Sequence, residues 1–194
     1  ICFKMYTACL GAHCHIDAAR YLLSTYNIQP EQIDKCIIKV GKLGKILCEP
    51  YEYKKAPTLA TDARANILYP MGATLAYGIC NLDAFKNLKD PKILDMSQKV
   101  YYDFDPEIGK EFACEPGTVT IETKDGKSFT HTIFDSRGTP GNPMTRKEIE
   151  DKFRECASYS VKPISKESVE KVIDLCARLD EVNDIREIIK LVSF

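Results

Sequence analysis

No stretch of the chain approaches the ~20 consecutive apolar residues that a membrane-spanning helix needs, and no secretory leader pattern opens it. A membrane partner is therefore not expected. Charge of one sign is missing too. The 27 Lys and Arg against 28 Asp and Glu leave a formal net charge of -1, which provides no basic field for nucleic acid and no polybasic face for lipid. The nine cysteines are scattered and include no C-x-x-C pair, a spacing that argues against both a zinc ribbon and a disulfide framework. Reduced thiols in a cytoplasmic protein are expected, most of them packed as small hydrophobes. Internal repeats and low-complexity segments are absent, and so is an initiator methionine, since the chain begins at Ile1.

What is present is ordinary globular composition, 44% hydrophobic and 28% charged over 194 residues, enough for one generous domain or a domain with an appendage. A strand or turn through Phe3 to Cys9 is expected to lead into a helix from about Asp17 to Tyr26. Ile33 to Val40 reads as a strand, and Gly41 and Gly44 mark a turn into Lys45 to Glu49. Beyond Pro57 the spacing of Ala63, Ile67, Met71 and Leu75 is helical, and Asn81 and Asp90-Pro91 look like helix starts. From Val100 the period becomes two: Val100, Tyr102 and Phe104, then Val119, Ile121 and Thr123, then Phe129, His131 and Ile133. Asp125-Gly126 between the last two runs predicts a hairpin turn with positive φ at both central residues. An antiparallel sheet is the expectation. The last third is helical. Thr145 and Glu148 form a capping box with Met144 and Ile149 as its staple, and Ser165 starts a second helix with the stripe Val169, Val172, Ile173, Cys176 and Leu179. A short final helix carries Ile185, Ile188, Ile189 and Val192.

The most chemical stretch is Phe3 to Arg20, FKMYTACLGAHCHIDAAR. On a strand only His13 and His15 would share a face, and zinc would need two further ligands. No metal is expected; His15 should be exposed and the cysteines packed. Gly41 to Lys45 lacks the phosphate-loop spacing and reads as a basic β-turn. His131 reads as a partly buried sheet residue and Tyr101-Tyr102 as strand filler. Lys4 near His13 suits carboxylate binding and adjustment of a neighbouring proton affinity.

Lys4-x-Tyr6, Cys9, His13 and Ile16-Asp17-Ala18 together resemble the K-x-Y…C…H…I-D-A stretch of the MmgE/PrpD family, which comprises 2-methylcitrate dehydratase, cis-aconitate decarboxylase and iminodisuccinate epimerase. Ala63 to Gly78 is similar to the family's A-x-F-S-x-x-Y-x-x-A-x-x-L-x-x-G helix. Ala63, Tyr69, Leu75 and Gly78 match there, while Ala65-Asn66 replace Phe-Ser and Gly72 replaces alanine. Asp90-Pro91, Lys99-Val100, Lys124-Asp125-Gly126, Gly138-x-Pro140-x-Asn142-Pro143 and Lys152-Phe153-Arg154 follow in the family's order.

The resemblance implies the C-terminal part of that architecture. The expected fold class is α+β, with an antiparallel sheet and helices forming a lid domain over residues 1–143. A helical tail over 144–194 would pack on an N-terminal helical domain or subunit of the same enzyme. A chain that starts inside the family sequence would explain the absent methionine. The implied chemistry is proton transfer next to a carboxylate of a small di- or tricarboxylic acid, giving dehydration, decarboxylation or epimerisation without a cofactor. This chain is expected to be inactive alone, because it lacks the acid–base residues of the helical half. Lys4, Tyr69 and His13 match family positions at the site: Lys4 as carboxylate anchor, Tyr69 as donor or proton relay, and His13 in either a catalytic or a strand-orienting role. Tyr69 is expected at the rim of the domain, near Lys4. A homo-oligomer is expected. The competing reading is a non-catalytic interaction module that reuses the lid fold.

Overall fold

Alternating side chains build the sheet. In the computed structural model, which describes residues 2–109 and 115–193, β1 (Ile33–Val40), β2 (Val100–Phe104), β3 (Gly117–Thr123) and β4 (Ser128–Ile133) lie in the order β2-β1-β3-β4. Cys36, Ile38 and Val40 of β1 are fully buried, as are Val100 of β2 and Val119 and Ile121 of β3. The register aligns them, with Cys36 opposite both Val100 and Ile121, and Ile38 opposite Val119. The β1–β3–β4 portion is antiparallel as expected, but β1 and β2 are parallel. A period-two pattern reports which face is buried and carries no information on strand direction. Here the direction follows from the long crossover between the strands, because parallel neighbours need a connection of a dozen or more residues. The chain is thus α+β, with a mixed sheet.

That crossover holds α2 (Lys42–Cys48), α3 (Tyr51–Lys55), α4 (Ala60–Arg64), α5 (Leu68–Tyr77) and α6 (Pro91–Gln98). The β-turn expected over Gly41 to Lys45 is instead the start of helix α2. Its exposed N–H groups are taken by a carboxylate from far along the chain: Glu115 accepts from Gly41 at 3.0 Å, Leu43 at 2.7 Å and Gly44 at 2.9 Å. Asp90 caps α6 by accepting from Lys92 and Ile93, as its Asp-Pro start predicts. Asn81, the other expected start, is followed by only a 3-10 turn over Asp83–Phe85. The 63–75 segment is interrupted rather than continuous. Asn66 ends the break by accepting from Leu68 N at 2.8 Å and Tyr69 N at 3.3 Å.

Helix α1 (His13–Thr25) follows a 3-10 turn over Leu10–Ala12, so it starts four residues before the expected Asp17. No side chain caps it, which left its start without a local signal. It packs on β3, β4 and α5. Gly117 makes that contact possible, since a Cβ there would lie 2.3 Å from the Cys14 carbonyl carbon. In the β3–β4 hairpin only Gly126 has positive φ, at 81°, and its N–H bonds to Thr123 O at 2.8 Å. This is a turn closed by a left-handed glycine, rather than one with two left-handed central residues.

The chain divides into two compact units, Ile1–Pro143 and Met144–Phe194. The second unit holds α7 (Arg146–Ser158), α8 (Lys166–Ala177) and α9 (Arg186–Val192). The Thr145–Glu148 capping box and the Ser165 cap are both formed. Arg154 clamps α7 to α8 through two hydrogen bonds to Glu170, at 2.7 and 2.8 Å. Of the expected α8 stripe, Val169 and Val172 are buried together with Leu175, whereas Cys176 and Leu179 are exposed. Among the described residues no helix is long and apolar enough to cross a membrane.

Gly72 marks the tightest helix crossing, where α5 meets α6. A Cβ on it would fall 2.0 Å from Ser97 Oγ and 2.8 Å from the Ile93 carbonyl oxygen. Gly72→Ala should therefore destabilise the protein by about 1–3 kcal/mol through overpacking, despite alanine's better helix propensity. Thermal or urea unfolding checks it, and an unchanged or raised midpoint would contradict the crossing described.

Candidate active site

Two backbone bonds fix the segment that carries Lys4. Phe3 N–H donates to Gly138 O at 2.9 Å and Cys9 N–H donates to Arg64 O at 2.8 Å. Between them Lys4 is exposed, and among the described residues its ammonium has no ion pair or hydrogen bond. Two residues on, Tyr6 turns inward and is only 6% exposed. Its hydroxyl donates to Asp17 Oδ1 and accepts from Arg20 Nη1 at 2.9 Å. Asp17 Oδ2 in turn accepts from Arg137 N at 2.7 Å. Burial, with the Asp17 carboxylate beside it, pushes the Tyr6 phenol well above its ordinary range, so it stays protonated.

His13 stands edge-on to Tyr6, ring centres 5.2 Å apart, with Nε2 3.4 Å from Ala8 O. It is completely buried. His15 is also fully buried rather than exposed, and its Nε2 lies 3.0 Å from Lys39 O of β1. Burial lowers its proton affinity and keeps the ring neutral. Because the two histidines sit two residues apart on a helix, they point about 200° apart and share no face. Among the described residues no group of three or more His, Cys, Asp or Glu is placed to hold a metal ion.

Tyr69 does not reach the rim. It is fully buried, and its hydroxyl donates to Ala84 O at 2.8 Å while its ring meets Phe85 at 6.0 Å. Burial pushes its phenol up to about 12. Every residue of α5 from Leu68 to Leu75 is buried, so this helix has no outward face to offer the tyrosine. The uncharged run Leu68 to Tyr77 was the sequence signal for that, because a helix apolar all round is an interior one. The structure therefore leaves Lys4 exposed and places both His13 and Tyr69 in the interior.

Cys9 is half-buried, with its thiol donating to Asn66 O at 3.5 Å. Burial raises its pKa, and Lys4 and Lys54 act in the opposite direction. Asn66 was noted in the sequence only as a departure. It is the cap of α5, and its amide also donates to Lys54 O at 2.6 Å, so it takes the place of serine with another capping residue.

Residues 6–179 match the MmgE/PrpD C-terminal domain. The chain belongs to the MmgE/PrpD family. It is 24% identical to human cis-aconitate decarboxylase over 95% of this chain and 38% of that protein. To mouse cis-aconitate decarboxylase it is 22% identical, over 100% of this chain and 39% of that protein. The chain thus spans under two fifths of the length of these relatives. Within the MmgE/PrpD stretch, Tyr6, His13 and Asp17 form a clasp that fastens the Lys4 segment to α1.

If Tyr69 serves the interior, Tyr69→Phe should lower stability by about 1 kcal/mol, the net worth of one buried hydrogen bond, with the Ala84 carbonyl left unmatched. Chemical denaturation measures this, and full stability in the phenylalanine variant would show that the Ala84 bond contributes nothing.

Proposed function

We propose that the chain is the C-terminal part of an MmgE/PrpD-type enzyme that acts on a small di- or tricarboxylic acid by proton transfer next to a carboxylate. The observation that carries this reading is the family match across residues 6–179; the likeness to two cis-aconitate decarboxylases favours a tricarboxylate. Lys4 binds a substrate carboxylate. A lysine ammonium with no ion pair among the described residues is suited to this, since it meets the anion without first breaking an internal one. It also offsets charge that develops as the proton leaves the neighbouring carbon. Departure of hydroxide, departure of carbon dioxide, or reprotonation on the other face then separates dehydratase, decarboxylase and epimerase. His13 and Tyr69 are positioning residues in this reading. They hold the segment and the helix behind Lys4, while the proton-transferring groups come from the N-terminal helical domain or subunit.

The burial of Tyr69 and His13 favours a second reading, a lid-like module that binds without catalysis. Turnover separates the two only when the helical half is supplied. The 194 residues alone are expected to turn over none of methylcitrate, cis-aconitate and iminodisuccinate, and clear turnover of any of them by the purified chain would overturn the division of labour proposed here.

The tail helices are the part that would receive the helical domain. Ile149, Phe153, Ile173, Cys176 and Ala177 line an open groove of about 570 Å³ between α7 and α8, and Leu179, Ile185 and Ile189 are each at least half exposed. Contiguous apolar surface of this kind promotes association. Sedimentation of the chain should show concentration-dependent self-association, reduced in Ile173→Glu; a monomer at every concentration would count against an unsatisfied apolar face.

A further inference from the structure

The C-terminal end of α4 holds Lys54 and the segment that carries Lys4, and among the described residues neither lysine forms an ion pair. A helix end leaves its last carbonyls without intrahelical partners, and two consecutive ones are used here. Arg64 O accepts the Cys9 N–H and so draws in the segment bearing Lys4. Ala65 O accepts Lys54 Nζ at 2.5 Å. The backbone of Lys54 is held as well, its carbonyl accepting from Asn66 Nδ2 at 2.6 Å.

We propose that Lys54 is a second carboxylate anchor beside Lys4, so that this edge takes a polycarboxylate by two of its carboxylates at once. The proposal rests on the reading of Lys4 given above. The Ala65 bond uses one of the three donors on the Lys54 ammonium, fixing the group while two N–H bonds remain to offer. Neither Lys4 nor Lys54 forms an ion pair among the described residues. Both nevertheless act on the same sulfur, Cys9. Two ammoniums that act on one sulfur also repel each other, and an anion with two carboxylates offsets that repulsion better than a monocarboxylate does. The neighbouring lysine does not compete for the role. Lys55 is buried, donates to Gln98 O at 3.3 Å and lies over the rings of Tyr51 and Tyr101.

Tricarballylate, a saturated tricarboxylate with no double bond to react, is the probe. The chain is labelled with ¹³C at the lysine ε-carbons, which leaves all three ammonium donors intact, and the Lys4 and Lys54 resonances are followed by NMR. Both should shift along one saturating curve, with acetate at least about tenfold weaker and inorganic phosphate weaker too. Lys54→Met should weaken tricarballylate about tenfold, Lys54→Arg should retain it, and Lys124→Met should leave it unchanged. Shifts at Lys4 alone, with Lys54→Met binding like the unsubstituted chain, overturn the second anchor and leave the Lys4 reading standing. Shifts at neither lysine overturn both. Phosphate binding equal to tricarballylate overturns the polycarboxylate class. The titration of the unsubstituted chain needs no variant, so a variant that unfolds does not remove the test.

Discussion

The Asp17 carboxylate is the point on which the first unit turns. Its two oxygens take the Tyr6 hydroxyl and the Arg137 backbone N–H, joining the N-terminal segment, α1 and the loop after β4 at one side chain. Hydrogen bonds to a charged group contribute about 1.5–3 kcal/mol each, and removing either partner here would strand a partly buried carboxylate. The Lys4 segment has no secondary structure of its own to hold it. Its place is set by this carboxylate at one side and by the Gly138 and Arg64 carbonyls at the other. Asn142 stiffens the same loop, accepting from Arg137 Nη1 at 2.7 Å and donating to Asp135 O at 3.1 Å.

How much of this was legible in the sequence depended on how far each determinant lies from its effect. The strand over Ile33–Val40 and the capping box at Thr145 are encoded within a few residues, and both are found where the pattern puts them. Helix α2 is different. Its start is capped by Glu115, more than seventy residues away, so GKLGK reads locally as a turn. The start of α1 is set by burial against β3 at Gly117 and not by any capping side chain, and the two histidines were accordingly assigned to a strand. In the candidate site, Lys4 is exposed at an edge, as its place at the chain start suggests without any packing argument. The interior position of Tyr69 depends on α5 being enclosed on every side, and counting one apolar stripe did not capture that.

The family stretch acquires a division of labour from this geometry. Tyr6, His13 and Asp17 are chemical in appearance, yet the Tyr6 hydroxyl, His13 Nε2 and both Asp17 oxygens face partners within the protein, and Tyr6 and His13 are buried. What they present to the outside is a lysine on a fixed backbone. The edge is chemically sparse for this reason: among the described residues it offers one half-buried thiol and the Lys4 and Lys54 ammoniums, neither of which forms an ion pair.

The parallel pairing of β1 with β2 has a consequence for how the protein is made. The β3–β4 hairpin and the α7–α8 pair join residues close in sequence, so their contacts form with little loss of chain entropy. Strand β2 can reach β1 only after residues 41–99 have been gathered into a crossover, and β3 reaches β1 from farther still. Closing such loops precedes any reward from the contacts they create. The central strand of the sheet is therefore the last to find its neighbours, and until it does the apolar row Cys36, Ile38 and Val40 remains open to the wrong ones. On a ribosome this places the vulnerable interval after β1 has emerged and before β3 has been synthesised.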